Sequence, residues 1–495
     1  MIILYNPWST RSVKHPLPMS LLAVASTLEG RYDYEIVDGN LERDPVGKIV
    51  ELAGRRRPAA IGITVMPGPQ LERAVPHSRQ LKRALPGVPI VWGGYFPSQH
   101  YATVLKDDAV DVCVRGQGEV TFPELVRVLS EGGDLGSVAG ISYRRGRAAA
   151  GGEVITNPNR PLVELDELPE WPYHRLPMEH YFHRHYLGRR VATHQSSYGC
   201  PFACNFCAIV PIVERRWVAQ SPARLAAVIE HQHRRYGADA VQFHDMDFFI
   251  KERRVEEFCD RITPLGMTWW ALGRIDELMR YKDSTWRRMK ASGLKMIFCG
   301  AEAGSEEVLA RMNKGGKVSP DLTLELAKRM KEWDVVPEFS FVLGNPPDPW
   351  ADVEQTLRFI RRLKAVNPAT ELILYMYTPV PKDGTLYEEA RALGFKFPDT
   401  LDQWISGDWK DFSLRRDPRQ NPWLNPALKR RVRDFERVLN AYYPTTTDLT
   451  LRGLKRAVLR TLGAWRYRLQ FYHHPLELRL FHRLFHYQRP ETSGF

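Results

Sequence analysis

Twice along this chain, short runs rich in β-branched and apolar residues alternate with amphipathic stretches, and that alternation leaves few folds open. Strands that are apolar along their whole length must be covered on both faces, which calls for a parallel sheet with helices on each side. In the first 135 residues the strand candidates are 2–6, 34–38, 60–65, 89–94 and 111–115, with helical patterns near 19–29, 70–85 and 121–130. Five such strands predict an α/β, doubly wound, flavodoxin-like unit over residues 1–143. In such a sheet ligands bind beyond the carboxyl ends of the strands, where the strand order reverses. That gathers residues 6–9, 64–70, 93–97 and 116–119 around one crevice. Gly93, Gly94, Gly116 and Gly118 would let backbone approach a large ligand closely, or serve as ordinary turns.

Residues 144–190 change character, with repeated prolines among aromatics and histidines. They read as a linker that packs across the surface, since Trp171, Tyr173, Tyr181 and Phe182 need cover. Its histidines (174, 180, 183, 185) are candidate metal ligands or plain packing residues. From 191 to 395 the alternation resumes, with strands at 191–197, 240–245, 268–273, 296–302, 339–344 and 372–378. Six right-handed βα crossovers predict a partial (β/α)6 barrel, and such barrels carry chemistry on the loops at the carboxyl ends of their strands. Trp269 and Trp270 alternate in that wall, one inside the barrel and the other under a helix. Residues 396–495 read as a mostly helical, basic region.

The loop after the first barrel strand runs Cys200-Pro-Phe-Ala-Cys204-Asn-Phe-Cys207. Three thiolates can hold a four-iron cluster and leave one iron open. A fully ligated electron carrier would want a fourth cysteine, and a structural zinc site a second Cys or His pair at short spacing. Neither follows in the next fifty residues. Buried thiols, a disulfide, or zinc completed by His194 are the alternatives. Cys113, Cys259 and Cys299 are scattered and read as core residues of a reducing compartment.

At 495 residues the chain is long enough for roughly three domains. No run approaches the ~20 apolar residues that span a bilayer, and the first residues lack the basic stretch of a signal peptide, so the expected location is the cytoplasm. The net charge is +12, and residues 451–495 alone hold nine Lys/Arg against two acidic residues. The remainder is only mildly basic, which weighs against a broad nucleic-acid surface.

Taken together, the C-x3-C-x2-C spacing with Phe206 before the last cysteine resembles the radical S-adenosylmethionine (SAM) enzymes. Further along the barrel, Phe243-His244-Asp245-Met246-Asp247-Phe248 is similar to the second-strand F-x-D-D-x-F pattern, with Met246 in place of the second acid. Gly300-Ala301-Glu302-Ala303-Gly304-Ser305 is similar to the fourth-strand G-x-E-S-G-S pattern, and Phe341 through Gly344-Asn345-Pro346 to the fifth-strand glycine-proline signature. Tyr377-Thr378-Pro379 through Gly384-Thr385 resembles the sixth-strand segment, with Lys382-Asp383 in its turn. In the amino-terminal half, residues 91–97 and Val114-Arg115-Gly116-Gln117-Gly118-Glu119 resemble the cobalamin-binding domain of the cobalamin-dependent radical SAM subfamily.

The resemblance implies a [4Fe-4S] cluster on Cys200, Cys204 and Cys207, SAM chelating its open iron, and cobalamin beside Gly93, Gly94, Gly116, Gly118 and Glu119. The motif that supplies a histidine to cobalt elsewhere is absent, which implies cobalamin without a protein histidine ligand, its lower side facing residues 66–70. Glu302 is expected at the ribose or ammonium of SAM, or paired with a neighbour such as Arg274. Asp245 and Asp247 are expected at the methionyl amine or the substrate, or as caps of the next helix, and Gly344 at the cofactor. The implied chemistry is methylation of an unactivated carbon of a small-molecule or lipid-like substrate, with an electron donor such as flavodoxin or ferredoxin. Within the same subfamily the alternative is a cyclase or rearrangement enzyme like the anaerobic magnesium-protoporphyrin ester cyclase. A methylthiolating enzyme would carry three more amino-terminal cysteines, where this chain has only Cys113. A zinc- or cluster-containing nucleic-acid binder is the alternative of another class.

The tail places Leu451, Leu454, Val458, Leu462 and Trp465, then Leu476, Leu480 and Leu484, at helical spacing among arginines. Such a pattern lies on anionic lipid, holds an acidic substrate, or simply covers the barrel with its arginines in water.

Overall fold

The first five strands form because their apolar side chains have both faces of a sheet to fill, and the computed structural model shows them doing so. It describes residues 1–10, 14–146, 152–314, 318–380, 385–411 and 418–485. Strands β1 (Ile2–Asn6), β2 (Tyr34–Asp38), β3 (Ala60–Thr64), β4 (Ile90–Gly93) and β5 (Val112–Val114) run parallel in the order 2-1-3-4-5. Every residue of β1 and β3 is buried. The reversal of order between β1 and β3 opens the expected crevice at their carboxyl ends.

Two further strands, β6 (Ile141–Arg145) and β7 (Glu153–Thr156), continue this sheet antiparallel beyond β5. The sheet therefore runs past residue 143, and the start of the stretch read as linker is its edge hairpin. Antiparallel edge strands need only one covered face, so their sequences lack the continuous apolar run that marked the others. The rest of 157–190 packs as expected. Tyr173 and Tyr181 are buried in a small cluster with Leu17, Leu22 and Val228, and Tyr181 donates its hydroxyl hydrogen to Asp38 at 2.7 Å.

The second sheet is fully parallel and sequential. Its strands are β8 (Val191–His194), β11 (Ala240–Phe243), β12 (Thr268–Gly273), β13 (Leu294–Glu302), β14 (Val336–Leu343) and β15 (Glu371–Met376), with β8 and β15 at its two edges. Between β8 and β11 lies a small ribbon of β9 (Ser197–Gly199) and β10 (Trp217–Ala219). Trp269 is fully buried against Phe243, Phe248 and Phe258 under the helix Glu252–Ile262. Trp270 faces the opposite side and donates to Glu338 at 3.1 Å.

The carboxyl-terminal region fastens the two sheets together. Trp404 packs edge-on against Phe96 (5.0 Å) and lies 4.8 Å from His100, both on the amino-terminal helix Tyr95–Val104. Arg79 bridges Asp107 and Asp402 at 2.7 Å each. Further on, Trp423 donates to the Gly344 carbonyl at 3.0 Å, and Asn421 to the Tyr377 carbonyl at 2.8 Å, across the ends of β14 and β15. The chain ends in the helices Pro426–Tyr442, Gly453–Arg468 and Leu476–Leu484.

Candidate active site

Gly199 sets the shape of the cysteine loop. Its φ is +87°, and a Cβ there would stand 2.2 Å from the Arg216 carbonyl oxygen, so only glycine lets β9 pair with β10 at this point. The ribbon holds both ends of residues 200–216. At its far side the loop is stitched to the segment after β13: Asn205 N–H donates to the Met312 carbonyl (3.1 Å), and the Asn313 amide to the Ala203 carbonyl (3.1 Å).

Within that frame Cys204 is buried, and Cys200 and Cys207 are half-buried. Burial, with smaller contributions from Asp247 and the two companion thiols, pushes the Cys200 thiol up to about 12. A thiol so placed favours its protonated form until a metal displaces the proton. Among the described residues no three His, Cys, Asp or Glu side chains gather where a single ion could sit, and thiols around an iron-sulfur cube stand wider apart than ligands around one ion. His194 does not complete a zinc site with them. Its ring nitrogens are engaged by the Tyr173 hydroxyl (3.1 Å) and the Gln220 amide oxygen (3.0 Å).

Arg274, just past β12, closes the site from one side. Its guanidinium lies 3.7 Å from the centre of the Phe202 ring, donates to the Cys204 sulfur at 3.5 Å and to the Lys314 carbonyl at 2.6 Å, and is held by Asp276 at 3.0 and 3.2 Å. Glu302, at the end of β13 with φ +64°, pairs with Lys314 at 2.5 Å in a buried ion pair. The neighbour expected for it, Arg274, is thus taken by Asp276.

The two acids of the second strand part ways. Asp245 is fully buried; it accepts from Ser196 N–H (3.1 Å), the Ser196 hydroxyl (2.8 Å) and the Ser197 hydroxyl. It does not cap the next helix, which begins after Lys251. It fixes the turn that leads into the cysteine loop. Asp247 is the open one. Its Oδ1 accepts from Phe249 N–H at 3.0 Å, while Oδ2 is buried with no hydrogen-bond partner. A buried oxygen without a donor costs about 1–3 kcal/mol and marks a place where a ligand donor belongs.

At β14, Gly344 has φ +79°, and a Cβ would press on Leu424 at 2.6 Å. Its N–H and that of Asn345 both point to Asp352 Oδ2, at 2.8 and 2.9 Å. The sequence reading missed Asp352; its one signal was an acid in the first turn of the helix Pro349–Val366, where the helix dipole favours one. Lys314 gave no signal at all. Lys382 and Asp383 lie outside the described residues.

The first sheet presents its crevice toward the same loop. Gly94 (φ +94°) leaves a notch in which a Cβ would meet Thr64 Oγ1 at 3.2 Å and Val65 N at 3.3 Å, while a Cβ on Gly93 would only touch Val114 at 4.0 Å. The Ser98 hydroxyl donates to the Gly94 carbonyl (2.7 Å) and accepts from Gly116 N–H (3.0 Å). Gly118 opens the helix Gly118–Glu131 and packs on Val24; burial raises the Glu119 carboxyl above the usual range. In the loop after β3, the Met66 side chain is exposed, and Gln70 ties Met66 N–H to Asn6. The crevice meets the cysteine loop directly. Gln99 donates to the Ala208 carbonyl at 2.7 Å, and a Cβ on Gly116 would lie 3.7 Å from the Ile212 carbonyl oxygen. Three thiols with a companion guanidinium, an orphan carboxylate oxygen and a glycine-lined notch fit an iron-sulfur cluster with SAM on one side and cobalamin on the other.

Both parts of the chain have counterparts among known proteins. The B12 binding domain matches residues 11–126, and the Radical SAM superfamily matches residues 195–360. An uncharacterised methyltransferase of Pyrococcus horikoshii is 29% identical over 350 residues, which are 70% of this chain and 73% of that protein. The anaerobic magnesium-protoporphyrin IX monomethyl ester cyclase of Synechocystis is 29% identical over 244 residues, 49% of this chain and 47% of the cyclase. The solved structure of the radical S-adenosylmethionine methyltransferase TsrM from Kitasatospora setae, with cobalamin and a [4Fe-4S] cluster bound, superposes with a TM-score of 0.61 at 17% identity. It covers 80% of this chain and 78% of its own, a likeness of fold.

Proposed function

Because this chain is a radical SAM enzyme carrying a cobalamin-binding domain, we propose that it methylates an unactivated carbon of a small-molecule or lipid-like substrate. The observation that carries the reading is the junction of Gln99 with Ala208 and of Gly116 with Ile212, which supports one shared space for both cofactors. When bound, the cluster, SAM and cobalamin supply between them an electron, a carbon radical and the methyl group. A donor of the flavodoxin or ferredoxin kind would deliver the electron.

The chain's own part is holding and excluding. Cys200, Cys204 and Cys207 hold the cluster on a loop that Gly199, Asn205 and Asn313 keep rigid. Asp247 Oδ2 would accept from the methionyl amine of SAM, and Glu302, held by Lys314, would accept from its ribose or ammonium. Arg274 keeps positive charge against the thiolates and shuts water out on that side. Gly94 and Gly116 line the cobalamin face. The Synechocystis relative favours a second outcome, cyclisation.

Anaerobic reconstitution with iron, sulfide and cobalamin, followed by reductant, SAM and candidate substrates, separates the two. Formation of 5′-deoxyadenosine together with S-adenosylhomocysteine indicates methylation, whereas deoxyadenosine alone indicates cyclisation or rearrangement. Cys204→Ala is expected to abolish the deoxyadenosine.

A further inference from the structure

The last two helices turn an apolar face away from the protein. On Gly453–Arg468 the residues Leu454 (80% exposed), Val458, Trp465 and, just past its end, Leu469 (73% exposed) recur at intervals of four, seven and four. At about 100° per residue they fall within a stripe about 60° wide. The same helix buries Leu459, Gly463, Arg466 and Tyr467 on its other side. There Gly463 permits a close approach, since a Cβ would come within 2.9 Å of Ala441. The helix Leu476–Leu484 repeats the arrangement, with Leu476, Leu480 and Leu484 each more than half exposed and Leu478 and Phe481 buried.

The two helices are held as one hairpin. Arg466 pairs with Glu477 and donates to the His473 carbonyl at 2.8 Å. At the open end the Lys455 ammonium stands 4.9 Å from the Phe485 ring centre. Phe471, at the bend, stacks on Trp465 at 5.9 Å and is half exposed itself. Both apolar rows are therefore fixed parts of the fold.

The charge around these rows has one sign. Residues 451–485 hold eight Lys/Arg and a single acid, Glu477, which Arg466 already engages. Arg452, Lys455, Arg460, Arg468 and Arg483 are exposed beside or behind the rows. Leucines and a tryptophan outward, with long cationic side chains able to reach up around them, suit an interface whose interior is hydrocarbon and whose surface is anionic. No helix among the described residues is long and apolar enough to cross a membrane, so the contact would lie along the surface.

We propose that the hairpin of residues 453–485 docks the enzyme on an anionic lipid surface, with Leu454, Trp465, Leu476 and Leu480 entering the acyl boundary. Flotation of the full-length protein with vesicles tests it. Vesicles of phosphatidylcholine with about a third phosphatidylglycerol should carry the protein at least ~tenfold more efficiently than phosphatidylcholine alone, and added salt should weaken the binding. The triple variant Leu454→Glu, Trp465→Glu, Leu480→Glu should stay in solution with unchanged circular dichroism and iron content. Absence of flotation with either vesicle, or equal flotation of the variant, overturns the proposal. So does a wild-type dimer in light scattering that the variant converts to monomer, because the face would then seat a second copy.

Discussion

The guanidinium of Arg274 donates to the sulfur of Cys204 at 3.5 Å while lying face-on to Phe202. Because Arg274 is buried and pinned by Asp276, this positive charge cannot drift from the thiolate. It stabilises the more negative, reduced state of the cluster. Arg274→Leu is expected to lower the cluster midpoint potential by on the order of 50 mV, since 59 mV corresponds to about 1.4 kcal/mol for one electron. Redox titration followed by electron paramagnetic resonance checks this, and unchanged iron content separates it from loss of the cluster.

Gly199→Ala should empty the site without touching a cysteine. The new Cβ would meet the Arg216 carbonyl at 2.2 Å in a left-handed backbone, a cost on the order of 3 kcal/mol. The expected result is a folded barrel with strongly reduced iron after reconstitution, read by iron analysis beside far-ultraviolet circular dichroism.

The Glu302–Lys314 pair should respond asymmetrically. Lys314→Met leaves a buried carboxylate alone and is expected to cost about 3–5 kcal/mol, whereas adding Glu302→Gln to it should recover much of the loss. Urea unfolding of the two variants measures the difference. Glu302→Gln alone keeps an acceptor for Lys314, which also donates to the Gly300 carbonyl, so it should cost less than Lys314→Met while weakening SAM binding about tenfold, as read by calorimetry.

Asp352 gives a pH signature. Burial raises its carboxyl to about 6 from 3.8, so between those values the native protein keeps a proton that the unfolded chain has released. Stability should therefore fall as pH rises from 4 to 6 and level off above, by about 3 kcal/mol at most. Asp352→Asn should flatten that slope, and Asp352→Ala, which removes the acceptor for Gly344 and Asn345, should destabilise at every pH. Denaturant titrations across this range decide it.

Much of this molecule is written in local pattern. Continuous apolar strands such as Ile2–Asn6 and Thr268–Gly273 announce two parallel sheets, and the cysteine spacing announces the loop between β8 and β11. What stayed hidden depends on partners far away in sequence. Asp352 matters because Gly344 folds back onto it, and Lys314 because Glu302 stands behind it. Asp245 and Asp247 look equivalent in a string, yet the two serines at 196 and 197 occupy one and leave the other open. The hairpin of β6 and β7 escaped notice because an edge needs no continuous apolar run.

The clamp formed by Trp404, Phe96, His100 and the Arg79–Asp402 pair has a bearing on traffic. Together with the Gln99–Ala208 bond it rivets the amino-terminal lobe to the barrel along two flanks. Swinging that lobe away from the barrel would break the Gln99–Ala208 bond and disturb the packing around the buried Trp404. Local movement of the loops around the crevice, which breaks none of these contacts, is the cheaper route for reactants.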